Sequence, residues 1–539
     1  MNRKVKQTNL KLFSSMLGML IFLSGIAYMG APMVAQAAAE QWVDVGSAGF
    51  SAGGAVSTSI AIDSSGTPYV VYQDGGNGYK ATVMKYNGSS WENVGSAGFS
   101  SGSVESTSIA IDSSGTLYVV YRDLGNGNKA TVMKYNGGSW DNVGSVGFSA
   151  GSVESISIAI DSSGTPYVVY IDVGNDYKAT VMKYNGSSWE NVGSAGFTSG
   201  EASYTSIAID SSGTPYVVYM DGNNSFKATV MKYNGSSWEN VGSAGFSSSS
   251  VTYTTIAIGG NGMPYVVYKD FGNSNKATVM KYNGSSWVNV GSAGFSSGGA
   301  SYTNIAIDSS GTPYVVYIDG GNSNKATVMK YNGSSWVNVG SAGFSAGTAY
   351  FTSIAINSSG TPYIAYQNIS NSSKATVMKL TKTYTVTYDG NVASSGSVPT
   401  DSSTYHDGGT ATILGNTLGL VKTGYKFAGW NTKADGTGTD YVADDSISIG
   451  SADVTLYAKW AINATMPNIT TQPTGATANE GANAPLNVAA TVSDGGTLSY
   501  QWYSNTTMSN SGGTAISGAM SASYAAPTTT AGTTYYYVV

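Results

Sequence analysis

The sequence predicts an all-β protein whose main body is a seven-bladed β-propeller, and three observations carry that prediction. Trp42, Trp91, Trp140, Trp189, Trp238, Trp287 and Trp336 are spaced 49 residues apart. One unit recurs between them, Ser-Ile-Ala-Ile-Asp-Ser-Ser-Gly-Thr-Pro-Tyr-Val-Val-Tyr, then Lys-Ala-Thr-Val-Met-Lys-Tyr-Asn-Gly-Ser-Ser-Trp after a short variable stretch. The composition is that of short strands and tight turns: 70 Gly and 39 Tyr among 539 residues, with 10% charged. A fixed period near 50 residues is the mark of a repeat architecture.

Each unit reads as four strands. Strand a is Ser59 to Ile62, and Asp63-Ser64-Ser65-Gly66 is a turn by composition. Strand b runs from Pro68 to Tyr72, with Pro tolerated at a first strand position. Strand c is Ala81 to Tyr86; Asn87-Gly88 then predicts a type I′ hairpin leading to strand d at Trp91 and Val94. Four antiparallel strands in a repeat of this length make a propeller blade.

The ends of the array favour a closed ring. A lone strand d at Trp42 comes first, and the last repeat supplies only strands a, b and c, ending at Leu380. The first strand can therefore complete the last blade and remove an unpaired sheet edge. An open solenoid is the alternative and would leave that edge exposed.

Residues 1–37 read as a secretory signal peptide. Arg3, Lys4, Lys6 and Lys11 precede an apolar run from Leu12 to Met29, followed by Ala35-Gln36-Ala37 as a cleavage pattern. A transmembrane anchor is the alternative, disfavoured by a short apolar run that contains Ser14, Ser15 and Ser24. No Cys follows to take a lipid, and no other long apolar run suggests a membrane span in the mature chain. Cleavage would leave 21 basic against 31 acidic residues, a net charge of −10. Scattered lysines on an acidic chain argue against nucleic acid as partner. With no cysteine, each domain must hold by packing alone.

The propeller unit, residues 41–380, resembles bacterial repeats grouped with sialidase-like or Asp-box propellers, through Ile-Asp-Ser-Ser-Gly-Thr-Pro-Tyr and Asn-Gly-Ser-Ser-Trp. The likeness is one of fold, since Asp and Gly are separated by two residues and no Trp follows as in an Asp box. Residues 383–460 resemble the Listeria–Bacteroides repeat of internalin-like surface proteins. The carriers are Tyr384-Thr385-Val386-Thr387-Tyr388-Asp389, the Gly-Tyr-x-Phe-x-Gly-Trp stretch from Gly424 to Trp430, and Leu456-Tyr457-Ala458-Lys459-Trp460. That resemblance implies a small β-grasp-like spacer on bacterial envelopes, with the aromatics at 425, 427, 430, 457 and 460 forming one core. Residues 467–539 resemble a bacterial immunoglobulin-like domain: Pro467–Pro473 as first strand, Leu498–Tyr503 as strand C with Trp502 buried, and Tyr535–Val539 as strand F with Tyr535 as a tyrosine corner. Tyr537 stands where antibody-type domains carry Cys. The chain stops inside strand F, so a partial domain and a fragment of a longer protein are expected.

Catalytic chemistry is hard to assemble from these residues. Sialidase chemistry, which the propeller resemblance would imply, needs an arginine triad, and the mature chain contains Arg122 alone. His406 is the sole histidine, in a Gly-rich loop, and no zinc site of the usual kind can be built without Cys. No catalytic residue and no cofactor is expected, although Ca²⁺ remains open.

Two aspartate series recur. Asp63, Asp112, Asp161, Asp210 and Asp308 read as turn residues. Asp74, Asp123, Asp172, Asp221, Asp270 and Asp319, with Asn368 last, lie where strand b ends. Near-identical repeats give near-identical environments, which argues against a single acid–base pair. Antiparallel order places the b–c and d–a loops at one end of every blade, and these are the loops that vary. Functional variety belongs in loops on a rigid scaffold. The Asp74 series is therefore the candidate ligand-binding set, accepting hydrogen bonds from sugar hydroxyls or helping to hold Ca²⁺; the alternative is that it only caps the hairpins. The repeated Tyr69, Tyr72 and Trp91 positions read as packing between blades. The expected function is a secreted, envelope-associated, adhesin-like protein that binds glycan or envelope polysaccharide, strengthened by multivalency. A structural or surface-protein-binding component of the envelope is the second reading, and a glycoside-active enzyme is disfavoured.

Overall fold

The computed structural model describes residues 39–539; the predicted signal peptide lies outside them. Six four-stranded antiparallel sheets follow one another in the chain, and a seventh, which Tyr405–His406 also joins, completes the set of propeller blades. Blade 1 contains strand a (Ala55–Ile62), strand b (Pro68–Asp74), strand c (Lys80–Tyr86) and strand d (Trp91–Asn93). Blades 2 to 6 repeat this order.

Blade 7 closes the ring. Its strands a and b are Ala349–Ile356 and Pro362–Asn368, and its strand c is the longer Lys374–Tyr384. The N-terminal strand Ala39–Asp44 pairs antiparallel with that strand c, with Trp42 opposite Leu380. The phase offset read from the sequence is thus resolved as closure, and the solenoid alternative falls.

The repeated tryptophans tie the blades together. Trp91 Nε1 donates to the Val45 carbonyl at 2.6 Å, and its ring stacks on Phe50 with centroids 4.1 Å apart. Trp42 makes the equivalent bond to Val339 across the closure, at 2.7 Å. Tyr72 is 1% exposed and donates to Met84 Sδ. Aromatic packing of this kind contributes both buried area and ring–ring attraction, which explains why these positions hardly vary.

Two local expectations need correction. Strand a begins at Ala55 rather than Ser59, because a β-bulge interrupts its pairing with strand b between Val56 and Ser59. The Asn87-Gly88 connection is not a type I′ hairpin. Such a turn needs positive φ at both central residues, whereas only Gly88 has it, at 99°. Tyr86 pairs with Trp91, so the loop has four residues, and Asn87 Oδ1 accepts from the Ser89 and Ser90 amides.

Beyond the propeller, Val386–Asp389 pairs in parallel with Val454–Ile462, which also pairs antiparallel with Tyr425–Asn431. A parallel pair between first and last strands is the β-grasp arrangement expected. Trp430 is fully buried, with Tyr388 and Phe427 edge-on to it at 4.7 and 5.1 Å. Phe427 also meets Trp460, while Tyr425 lies under Lys422 at the surface, so the core is narrower than the five aromatics predicted. In the last domain Trp502 is fully buried among Leu486, Val488 and Ala526. The strand Tyr535–Val538 pairs with Trp502–Asn505. Tyr537 stacks on Tyr503 at 4.9 Å, on the side of the sheet away from Trp502, whose core Tyr536 and Val538 pack against. No corner hydrogen bond from the Tyr535 phenol forms among the described residues; Tyr537 Oη instead accepts from the Gly513 amide at 3.2 Å.

Candidate functional site

Strand register defines two faces of the propeller. Ala55 pairs with Asp74 and Asp74 with Lys80, so the d–a and b–c loops share one end of the blade. Ile62 pairs with Pro68 and Tyr86 with Trp91, which puts the a–b and c–d turns at the other. On the loop face the two kinds of connection touch. A β-carbon on Gly53 of a d–a loop would lie 2.3 Å from the Gly76 nitrogen of a b–c loop, so this contact excludes side chains.

The Asp74 series sits beneath the loop surface. Asp74, Asp123, Asp221, Asp270 and Asp319 are no more than 1% exposed, and Asp172 is 5% exposed. Each b–c loop is one turn of 3₁₀ helix, with Asp74 or its equivalent at the N-cap. Asp74 Oδ1 accepts from the Gly76 amide at 2.9 Å, and Oδ2 from Asn77 Nδ2 at 2.7 Å and Thr82 Oγ1 at 2.9 Å. Thr82 Oγ1 in turn accepts from the Gly98 amide in the next d–a loop, at 2.8 Å. A buried carboxylate is tolerated because donors saturate it.

These carboxylates therefore do not face a ligand on the surface. They hold both loops of the face in place, which corrects the expectation that they bind directly. The pattern has two exceptions. Asp172 makes no side-chain cap bond, and burial pushes its carboxyl up despite polar neighbours at Gly174 and Thr180. Asn368 in blade 7 donates to Thr376 Oγ1 while its own Oδ1 is buried without a partner.

The loop face also exposes large apolar side chains. Tyr79, Tyr177 and Phe226 close b–c loops, Phe271 and Ile369 open them, Val146 lies in a d–a loop, and Tyr204 and Tyr350 begin strands a. These are the well-exposed large apolar side chains of the propeller among the described residues, and all of them lie on this face. The turn face carries instead polar loops closed on themselves. Asp63 Oδ1 accepts from the Ser65 and Thr67 amides at 2.9 Å.

At the centre of the loop face the bulges of the seven strands a form a ring around the axis. The bulge residues are Ser57, Ser106, Ser155, Tyr204, Tyr253, Tyr302 and Phe351, all with φ between 44° and 54°. Such a conformation costs a non-glycine residue about 1–2 kcal/mol, so the surroundings must impose it. They do so with a belt of threonines. Thr58 Oγ1 donates to the Phe351 carbonyl of the preceding blade at 2.6 Å, Thr303 to Tyr253 at 2.6 Å and Thr352 to Tyr302 at 2.7 Å. Thr107, Thr205 and Thr254 make the same bond. Ile156 takes the threonine's place in blade 3 and cannot.

The ring is sevenfold in backbone and lopsided in side chains. Three serines occupy one arc and four aromatics the other. Tyr204 and Tyr253 have centroids 5.1 Å apart, Tyr253 and Tyr302 4.8 Å, and Tyr302 and Phe351 5.0 Å, each pair inclined. Burial first, then the neighbouring phenols of Tyr302 and Tyr204, push the Tyr253 phenol up to about 12. Apart from Ser106, these residues and the threonine belt line a shallow axial mouth of about 240 Å³ whose lining contains no charged side chain. Glu105, on the strand beside the serine arc, is tied to Arg122 at 2.8 Å, and Glu154 is exposed next to Ser155. No cluster of three or more His, Asp or Glu fit to hold a metal occurs among the described residues.

The sequence directed attention to the variable loops and the Asp74 series rather than to these residues. Val104-Glu105-Ser106 and Ser203-Tyr204-Thr205 look like varying loops; they are starts of strand a, with the varying residue aimed at the axis.

Residues 384–459 match the Listeria-Bacteroides repeat domain. Two Evansella cellulosilytica proteins, described as "Putative membrane protein" and "Putative Gly-rich membrane protein", are each 41% identical over 80 residues, 15% of this chain. The chain covers only 12% and 9% of their lengths. Among solved structures, the Aleuria aurantia lectin in complex with Fucalpha1-6GlcNAc is 17% identical, with TM-score 0.37 over 53% of this chain and 97% of the lectin. A polysaccharide lyase, an ulvan lyase, is 12% identical, with TM-score 0.40 over 64% of this chain and 96% of the lyase.

Proposed function

We propose that this chain is an exported, envelope-associated protein whose propeller binds glycan through its loop face. One observation carries the reading: the exposed large apolar side chains of the propeller gather on the face where the loops vary. Exposed apolar residues concentrated on one face mark an interaction site. Aromatic rings beside backbone and hydroxyl hydrogen-bonding groups suit sugars, which present C–H faces and hydroxyl edges. The repeat domain at 384–459 supports an envelope setting. Binding rather than turnover is proposed because the axial mouth offers no pair of carboxylates in contrasting environments.

The test is a glycan array probed with the chain from residue 39 onward, with Ca²⁺ and with chelator. Binding that disappears in Tyr79→Ala/Tyr177→Ala/Phe226→Ala or in Tyr253→Ala/Tyr302→Ala, with the melting temperature retained, supports the reading. Absence of binding by folded protein under both conditions overturns it and leaves a protein-binding or structural role in the envelope. Binding that persists with chelator removes any need for Ca²⁺.

A further inference from the structure

Building on the glycan reading, we infer that the axial mouth is a single site for the terminal ring of a neutral sugar, one per propeller. The near-identical repeats would suggest seven equivalent weak sites; the mouth breaks that equivalence. Its backbone is the same in all seven blades, since φ stays within 44–54° and six threonines fix it. The strain therefore belongs to the fold and does not choose the side chain. Serine serves the position in three consecutive blades, so the aromatics in the other four are not demanded by packing of the ring.

The arc they form has the shape of half a cup. Neighbouring rings are inclined by 55°, 34° and 69°, so their faces turn around the axis instead of making one flat platform. A polysaccharide stacked along its length would need a flat strip; a cup takes one ring inserted from above. The mouth is shallow, with a volume of about 240 Å³, and opens outward, so a ring seated in it can be the end of a longer glycan.

Polarity is divided to match. The aromatic arc offers apolar surface to a C–H face, and the serine arc opposite offers hydroxyls to the sugar's edge. Ser155 Oγ already accepts from the Thr205 amide at 2.9 Å, which orients it. With no charged side chain in the lining, a carboxylate or phosphate group would be desolvated without a counter-charge. The site should therefore select neutral sugars over uronates.

The experiment is titration calorimetry with methyl hexopyranosides of several neutral sugars and with methyl glucuronide. The expected result is saturation at one equivalent per chain for at least one neutral glycoside. Affinity should fall at least tenfold in Tyr253→Ala/Tyr302→Ala and stay unchanged in Ser89→Ala, on the exposed c–d turn of the opposite face. Because deleting aromatics can disturb the ring, a second variant, Ser57→Tyr, fills the mouth with a residue this backbone already accepts in three blades. It should abolish binding with the melting temperature kept. Several equivalents per chain, loss with Tyr79→Ala/Tyr177→Ala/Phe226→Ala but not with the axial variants, preference for the glucuronide, or array binding without any monosaccharide binding would each overturn the inference while leaving glycan binding intact. Silence of both array and calorimetry overturns the two together.

Discussion

The two faces of the propeller are made by the same strands and differ in almost everything else. The turn face repeats Asp-Ser-Ser-Gly and Asn-Gly-Ser-Ser with little change, and its polar groups satisfy one another within each turn. The loop face varies in sequence, exposes aromatics, and keeps its recurring carboxylates, the Asp74 series, buried beneath them. A charged residue on the turn face therefore serves a local turn, whereas one on the loop face supports a surface that other residues present. The lesson is that a recurring charge in a repeat can mark the frame of a site and not the site.

The largest test of that contrast is Asp123→Ala. It leaves the Gly125 amide, Asn126 and Thr131 without their acceptor in a buried place, and should cost about 2–3 kcal/mol, read as a lower urea midpoint. An unchanged midpoint would mean that the loop face does not depend on its buried caps. Asp112→Ala on the turn face should cost about 1 kcal/mol or less by the same measurement, because water can replace the lost bonds at an exposed turn.

A finer test compares two members of the buried series. Asp172 lacks the cap bond that Asp123 accepts from the Gly125 amide, and burial raises its carboxyl. A carboxyl raised in the folded state favours folding most when protonated, and that contribution fades as pH climbs through the folded value. Asp172→Asn should thus gain on the parent protein between pH 4 and 7, where Asp123→Asn only loses; melting curves at both pH values decide it. Blade 7 carries Asn at this position already.

The smallest effect is the acid response of the turn face. Burial by itself would raise Asp63, Asp112 and Asp210, but hydrogen bonds from their own turns outweigh it and hold all three below the usual carboxylate value. Stability from a lowered carboxyl is present above its unfolded value near 3.9 and disappears as pH drops through the folded one. The melting temperature should hold above about pH 4 and decline below it, with a slope that Asp112→Asn makes shallower. An identical slope would remove the turn carboxylates as its source.

The fold was legible because its signals are periodic and local. The 49-residue Trp spacing and the Trp42–Leu380 phase offset sufficed to count blades and close the ring. The bulge at Ser57 was not legible, since serine, tyrosine and phenylalanine at positive φ leave no compositional trace; a longer-range threonine bond imposes it. The burial of Asp74 was hidden for a related reason. Asn77 and Thr82 are close in sequence, but only the 3₁₀ turn and strand c bring both onto one carboxylate oxygen. The axial mouth could have been suspected by aligning the seven bulge positions with one another, where three serines stand beside three tyrosines and a phenylalanine.

The strand that seals blade 7 also sets an order of events in folding. Trp42 finds its backbone partner only once Leu380 has been made, more than three hundred residues of chain later. Until then the first strand has no sheet to join and the last blade has an open edge. The native ring thus cannot close before the strand ending at Tyr384 has been made, and its closure is a long-range contact whose entropic cost grows only slowly with loop length. Once shut, the propeller presents no terminal blade at which unravelling could begin, because its two ends share one sheet.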